Sequence, residues 1–355
     1  MPIHRYDRPR GRLDFLDIES VAIANNTLGD PTCRTIAVYL PEGYDDGRDD
    51  YPLLVDIVGY TGSGPAHLNW KAFQESVPQR VDRLVAEGKM GPVIIAFPDC
   101  FTSLGGNQYI NSSVLGNWAD FLNLEMLPAM EQRYRIRKGR EHRGLFGKSS
   151  GGYGAMIHGM LYAQHWGAVA CHSGDMAFDL CYRPDFPKTL MHLANHHSDG
   201  ETAQAGNADG CIEAFLQALR SQKKISGSDM EALMILAMAA TYDPAPELSH
   251  GIRLPVRHDT CELLEELWAR WLAWDPLHLI QRADVQDNLR SLKGLFIDCG
   301  SNDQYALVFG ARALQQRLQS LQIDHQYEEY PDNHSSVDYR MDVSLPYLYQ
   351  HLAGG

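Results

Sequence analysis

The sequence lacks a long apolar run: no stretch approaches the roughly 18 residues that a membrane-spanning helix needs. The basic segment 1–15 also lacks the apolar centre of a secretory signal peptide. Basic charge is scarce, since 31 Lys and Arg against 45 Asp and Glu give a formal net charge of −14. Such an acidic chain is repelled by nucleic acids and by anionic membrane surfaces. We therefore expect a cytoplasmic protein with neither kind of partner.

Cysteine is also sparse. The seven cysteines are scattered and include no C-x-x-C pair, which predicts free thiols in a reducing compartment. The length of 355 residues and the apolar content of 44% suffice for a large α/β enzyme that carries an insertion.

Short apolar runs alternate with segments of helical spacing. Residues 13–40 predict two antiparallel strands around a polar turn. Later runs are continuously apolar, which is typical of strands buried on both faces of a parallel sheet. These predicted strands are 53–58, 92–97, 145–146, 167–171, 294–300 and 325–330, and the helices between them are 73–87, 117–134, 153–161, 305–320 and 336–352. The pattern predicts an α/β fold with a mostly parallel central sheet covered by helices on both faces.

One long segment breaks this alternation. From 176 to about 281 no clear buried strand occurs, and helical spacing appears at 208–222, 228–240 and 260–273. We expect a core formed by 1–175 and 286–355, interrupted by a helical insertion, 176–285, that lies like a lid over the carboxyl edge of the sheet. An elaboration away from the site stays open, because loops at that edge vary readily.

A candidate nucleophile follows the predicted strand at 145–146. Gly147, Ser149 and Gly151 fit the pattern G-x-S-x-G between a strand and a helix. Such a turn strains the serine backbone and exposes its oxygen, while the helix start directs the Ser150 N–H toward a developing oxyanion. A phosphate-binding loop is disfavoured, since that motif needs glycine where His142 stands.

A serine hydroxyl needs a base, and the base needs a carboxylate. Asp303 and His334 each follow a late predicted strand, so with Ser149 they should meet at one edge of the sheet. The chain order serine, aspartate, histidine is that of α/β-hydrolases. Asp298 is a weaker candidate, because it lies inside its strand.

The remaining candidates are interpreted as bystanders. We expect His172 at most to line the pocket, Lys148 to point away from the serine, and His325 to be structural. The surroundings of His192, His196 and His197 are loop-like, so we expect a solvated surface and no metal there. No cofactor is required by the predicted chemistry.

Several stretches together resemble a known family, the putative esterases of the α/β-hydrolase superfamily, which includes esterase D (S-formylglutathione hydrolase), feruloyl esterases, enterochelin esterases and mycolyltransferases. The matching stretches are 38–44, 51–64, 116–118, 147–155, 299–303 and His334. The resemblance covers roughly 12–175 and 290–352 but not the insertion. It implies Ser149 as nucleophile, Asp303 as acid and His334 as base, with oxyanion N–H groups from Ser150 and Tyr60. One departure is Val58, where the family usually has histidine.

These observations predict a serine hydrolase that cleaves a small-molecule carboxylic ester. The predicted substrate contacts are Thr61, Trp118 and Tyr153, and the aromatic residues near the site, with Tyr60 and Trp70, favour an apolar or aromatic acyl group. Two alternatives stay open: acyl transfer to an alcohol or sugar, and a non-catalytic binding protein on the same fold. Whether the chain forms a homo-oligomer is also open.

Overall fold

A computed structural model describes residues 9–196 and 208–354. Within them, eight strands form one sheet in the order β1-β2-β4-β3-β7-β8-β9-β10. Its strands are β1 (Arg12–Glu19), β2 (Cys33–Leu40), β3 (Leu53–Ile57), β4 (Ile94–Pro98), β7 (Arg143–Lys148), β8 (Ala168–His172), β9 (Gly294–Gly300) and β10 (Gln326–Tyr330), and β5 (Asn111–Ser112) and β6 (Gly116–Asn117) form a separate hairpin. Only the pairs β1–β2 and β2–β4 of this sheet are antiparallel. The predicted α/β class is confirmed.

Helices precede or follow nearly every strand. They are α1 (Val77–Ala86), α2 (Trp118–Asp120), α3 (Leu127–Arg133), α4 (Ser150–Leu161), α5 (Phe178–Cys181), α6 (Phe186–Leu193), α7 (Ala208–Ser221), α8 (Gly227–Tyr242), α9 (Glu265–Leu272), α10 (Pro276–Leu279), α11 (Ala283–Arg290), α12 (Leu307–Ser320) and α13 (Met341–Ala353). Short 3-10 turns occupy Gly64–Leu68, Arg140–His142, Arg183–Asp185 and Asp338–Arg340. No helix in the described ranges has both the length and the apolar character to cross a membrane.

Neighbouring side chains of each strand point to opposite faces, so the sheet has a hydrophobic layer on either side. Leu54 and Phe146 belong to the layer that α1 and α13 cover. Val55 and Leu145 belong to the larger layer that includes α3, α4 and α12. Continuous apolar strands therefore result from burial on both faces.

The described part of the insertion is helical and continues the larger hydrophobic layer. The ring of Tyr153 on α4 lies 6.0 Å from the ring of Phe178 and 5.8 Å from the ring of Tyr242. Behind them, Trp271 packs on Tyr242 at 5.5 Å. The insertion is thus anchored on the helix that follows the candidate nucleophile.

The sequence misjudged several helix limits. The first predicted helix begins later, at Val77, because Ser76 caps it by accepting a hydrogen bond from the Gln79 N–H. The helix predicted over 117–134 contains a π-helical segment, Phe121–Met126, and Pro128 starts α3, where a missing N–H is tolerated. Four helices escaped prediction because they are short or have weak periodicity: α5, α6, α10 and α11.

Candidate active site

Ser149 occupies a strained turn between β7 and α4, with φ 59° and ψ −123°. A Cβ atom on Gly147 or on Gly151 would lie 2.1 Å from the carbonyl oxygen of Ile57. Only glycine therefore lets β7 and α4 approach β3 this closely. The predicted strand, sharp turn and helix are all present.

Backbone hydrogen bonds fix this turn from both sides. The Ser149 N–H donates to the His172 carbonyl oxygen at 3.0 Å, and the Tyr153 N–H donates to the Ser149 carbonyl oxygen at 2.8 Å. Lys148 is one of the residues that line the cavity of Ser149, and its Nζ lies 3.5 Å from a carboxylate oxygen of Asp338, which is not among the described lining residues.

Asp303 and His334 form a close pair beyond the ends of β9 and β10. His334 Nδ1 lies 2.7 Å from Asp303 Oδ2. The other oxygen of Asp303, Oδ1, accepts a 2.9 Å hydrogen bond from the Tyr305 N–H, and the Tyr305 ring packs edge-on against the imidazole at 4.9 Å. The Asp303 side chain is fully buried, so its carboxylate is held in one orientation toward the imidazole.

Ser149 and His334 line one cavity of 460 Å³. Tyr60 and Thr61 line it too, as predicted for the loop after β3. Its further lining residues are Gly59, Lys148, Asp175, Cys181, Tyr182, Gly227, Met230, Glu231, Met234, Tyr305, Leu307, Ser335 and Ser336. The cavity therefore combines residues from the sheet edge with residues from the insertion.

Two predicted substrate contacts lie elsewhere. Trp118 is buried and donates its indole N–H to the Leu115 carbonyl oxygen at 2.9 Å. Tyr153 is buried under the insertion, and its hydroxyl donates to the Trp274 carbonyl oxygen at 3.0 Å. Neither is among the described residues that line the cavity. Both aromatic residues belong to the hydrophobic core, and the polar atom of each forms its hydrogen bond with a backbone carbonyl outside the cavity.

The loop 101–110 joins the two proposed sources of oxyanion N–H groups. Its Gly106 N–H donates to the Tyr60 carbonyl oxygen at 2.7 Å, and the Tyr60 hydroxyl donates to the Leu104 carbonyl oxygen at 2.7 Å. Gln108 Nε2 donates to Ser150 Oγ at 2.8 Å. Ser150 is the first residue of α4, so no turn of that helix precedes it to accept its N–H. Sequence analysis missed Gln108, since nothing in a polar loop marks this contact.

Asp175 is a second residue that sequence analysis missed. It is buried at the cavity wall, where Oδ2 accepts from the Tyr182 hydroxyl at 2.7 Å and from Gln108 Nε2 at 3.3 Å. Burial raises the pKa of the Asp175 carboxyl, and the nearby His334 opposes this shift. Its position directly after β8 is the one signal that could have identified it.

The competing carboxylate, Asp298, belongs to a different network. Its oxygens contact His172 Nδ1 at 2.7 Å and the Arg340 Nε–H at 2.8 Å, and His172 Nε2 lies 2.8 Å from Ser344 Oγ. These four residues are absent from the described lining of the cavity. Asp298 and His172 therefore hold β8 and β9 to α13, as the interior position of Asp298 in its strand implies.

The histidine group acquires a carboxylate from another helix. His192 and His196 lie together with Asp229 of α8, and one ligand atom of each lies within 4.8 Å of the others. The sequence predicted no metal at these histidines, and Asp229 is distant from them along the chain. His197 lies outside the described residues.

Known proteins resemble this chain in sequence and in fold. The family model described as "Putative esterase" matches residues 31–344. Esterase Rv1288 of Mycobacterium tuberculosis is 30% identical over 166 residues, which are 45% of this chain and 32% of that protein. The match thus spans about a third of the length of this curated relative.

Solved structures share the fold over nearly the whole chain. A ferulic acid esterase has a TM-score of 0.61 at 18% identity, covering 96% of this chain and 98% of that one. The fluorophosphonate-binding serine hydrolase FphF of Staphylococcus aureus has a TM-score of 0.55 at 14% identity, covering 97% and 99%. The predicted α/β-hydrolase architecture is confirmed.

Proposed function

The chain belongs to the putative esterase family, and from that premise we propose that it hydrolyses a carboxylic ester through an acyl-enzyme on Ser149. One observation carries this proposal. The 2.7 Å contact of His334 Nδ1 with buried Asp303 lies at the cavity that Ser149 also lines. A nucleophile and a base that line one cavity, with a buried carboxylate paired to the base, are the groups that acyl transfer to a serine requires.

The carboxylate sets the protonation of the imidazole. Asp303 accepts a hydrogen bond from the Nδ1–H of His334, which leaves the Nε2 lone pair to take the proton of Ser149 Oγ. The serine oxygen then bonds to the acyl carbon of the ester. As the tetrahedral intermediate collapses, the ester C–O bond breaks and His334 returns the proton to the leaving alcohol.

Backbone N–H groups of Tyr60 and Ser150 stabilise the negative oxygen of that intermediate. A Cβ on Gly59 would lie only 3.3 Å from Ser149 Cβ, so the Tyr60 loop approaches the nucleophile closely. Each such donor contributes roughly 3–4 kcal/mol in comparable sites. Water then attacks the acyl-enzyme with His334 as base, and the acid is released.

The test is covalent labelling read by intact mass. We expect a fluorophosphonate probe to add once to the wild-type chain and not to Ser149→Ala. Ser335→Ala is the matched control, since Ser335 is an exposed serine of the same cavity, and it should label fully. Absence of any adduct on folded wild-type protein would overturn the proposal in favour of a binding protein.

A series of p-nitrophenyl esters of increasing acyl length then defines the acyl group. Product analysis with and without an added alcohol separates the two fates of the acyl-enzyme. Free acid as the main product supports hydrolysis, whereas a new ester with the alcohol would make the protein an acyltransferase.

A further inference from the structure

The insertion contains two imidazoles and a carboxylate that converge between α6 and α8. His192 is the penultimate residue of α6, His196 follows the end of that helix, and Asp229 lies in the first turn of α8. One ligand atom from each lies within 4.8 Å of the other two. We propose that these three residues bind a divalent transition-metal ion of the Zn²⁺ type, independently of the proposed ester hydrolysis.

The carboxylate of Asp229 is already oriented for a ligand. Its Oδ2 accepts from the Ser226 N–H at 3.0 Å and from the Ser226 hydroxyl at 2.7 Å. Its Oδ1 is directed at His192 Nε2, 2.8 Å away. Hydrogen bonds of this kind to a ligating carboxylate hold metal ligands in place. One oxygen therefore secures the helix start, and the other would exchange its contact with His192 for a bond to the ion.

An aromatic side chain supports both imidazoles. The Phe215 ring of α7 packs edge-to-face against His192 at 5.6 Å and against His196 at 5.0 Å. Phe215 is fully buried, so this side of the cluster is closed to water. The other side borders a cavity of 320 Å³ that His192 lines, which gives an ion an entry path and a place for a water ligand.

The chemistry of the ligands selects the ion. Zn²⁺ and the neighbouring ions of the first transition row bind imidazole nitrogen well, whereas Mg²⁺ and Ca²⁺ prefer oxygen ligands. Tetrahedral bonds of about 2.1 Å require ligand atoms roughly 3.4 Å apart. His192 Nε2 lies 2.8 Å from Asp229 Oδ1 and the other separations are at most 4.8 Å, so side-chain rotations would bring the three atoms to this spacing, with water as the fourth ligand.

An ion at this position would connect α6 and the segment after it to the start of α8. Asp229 precedes Met230 and Glu231, which line the cavity of Ser149. Glu231 also lines the cavity beside the histidines, so the first turns of α8 separate the two spaces. A metal that joins α6 to α8 would therefore fix the wall of the Ser149 cavity in place.

Calorimetric titration of the full chain, without any polyhistidine tag, tests the site directly. We expect Zn²⁺ to bind with one-to-one stoichiometry and to raise Tm, since a ligand of the folded state stabilises it. Mg²⁺ and Ca²⁺ should do neither. His192→Gln and His196→Gln should each weaken Zn²⁺ binding at least about 100-fold. His278→Gln, which changes an exposed histidine outside the cluster, should leave binding unchanged.

Two further readouts separate a metal site from a structural His–Asp pair. Co²⁺ should give the visible absorption of a four-coordinate nitrogen and oxygen site, and His192→Gln should remove it. Amide hydrogen exchange in α6 and in the first turn of α8 should slow with Zn²⁺. Equal binding by wild type, His192→Gln and His196→Gln, or no binding by the folded wild type, would overturn the proposal whatever the esterase activity.

Discussion

Gln108 Nε2 donates a 2.8 Å hydrogen bond to Ser150 Oγ, which ties a loop to the residue beside the candidate nucleophile. The same loop holds Tyr60 through Gly106 and Leu104. Both backbone N–H groups of the proposed oxyanion site are therefore positioned by one segment, 101–110, although they come from distant parts of the chain.

We predict that Gln108→Ala lowers kcat for ester hydrolysis about tenfold with little change in KM. The lost hydrogen bond contributes roughly 1 kcal/mol, and its geometry matters most when charge develops on the acyl oxygen. Gln286→Ala is the matched control, since Gln286 donates to the Ile280 carbonyl oxygen in another part of the fold. Steady-state kinetics on both variants distinguish them; a pure KM effect in Gln108→Ala would contradict a positioning role.

The two buried aspartates at β9 should respond differently to amide substitution. Asp303→Asn should reduce kcat by about 10⁴ while leaving stability nearly intact, because the amide orients His334 in the wrong tautomer. Asp298→Asn should instead destabilise the fold by up to about 3 kcal/mol, since it removes the buried negative charge that contacts both His172 and Arg340, and Arg340 then keeps only Glu328 as an ionic partner. Urea unfolding and kinetics on both variants test this. High activity in Asp303→Asn together with loss in Asp298→Asn would reassign the acid.

A glycine pair tests the steric argument at the serine turn. In Gly147→Ala the new methyl group would lie 2.1 Å from the Ile57 carbonyl oxygen, so we expect a loss of about 3 kcal/mol or more, or failure to fold. In Gly227→Ala the methyl group meets nothing within 4 Å, and alanine favours the helix by up to about 1 kcal/mol. Chemical denaturation gives both values. Equal stability of the two variants would contradict the close approach of β3, β7 and α4.

His158 should make stability fall in mild acid. Its Nε2 lies 2.9 Å from the Tyr109 carbonyl oxygen and its Nδ1 accepts from the Trp166 indole N–H at 3.1 Å, and burial lowers its pKa from 6.5 to about 4. The unfolded chain binds this proton first, so the contribution is complete above pH 6.5 and is lost as pH falls toward 4. The maximum loss is about 3 kcal/mol.

Thermal unfolding between pH 7 and pH 4 measures this slope. His158→Gln should flatten it, whereas His278→Gln, an exposed histidine, should leave it as in the wild type. Identical slopes for all three proteins would mean that other groups dominate the acid response.

The sequence alone determined the class of fold, because burial on both faces of a sheet requires continuous apolar runs and each run is local. It also located the serine turn. The close approach of strand and helix requires glycine on both sides of Ser149, and this requirement is visible within the five residues 147–151. The positions of Asp303 and His334 at the ends of β9 and β10 followed from the rule that parallel strands deliver such residues to one edge.

Only the tertiary structure decided which side chains meet across these elements. Trp118 and Tyr153 have the aromatic character of substrate contacts, yet packing buries them in the core. Gln108, Asp175 and Asp229 acquire their partners from segments far away in sequence. Hydrophobic periodicity records whether a residue is buried, but the partner of a polar side chain depends on how complete elements pack against each other. No local pattern contains that information.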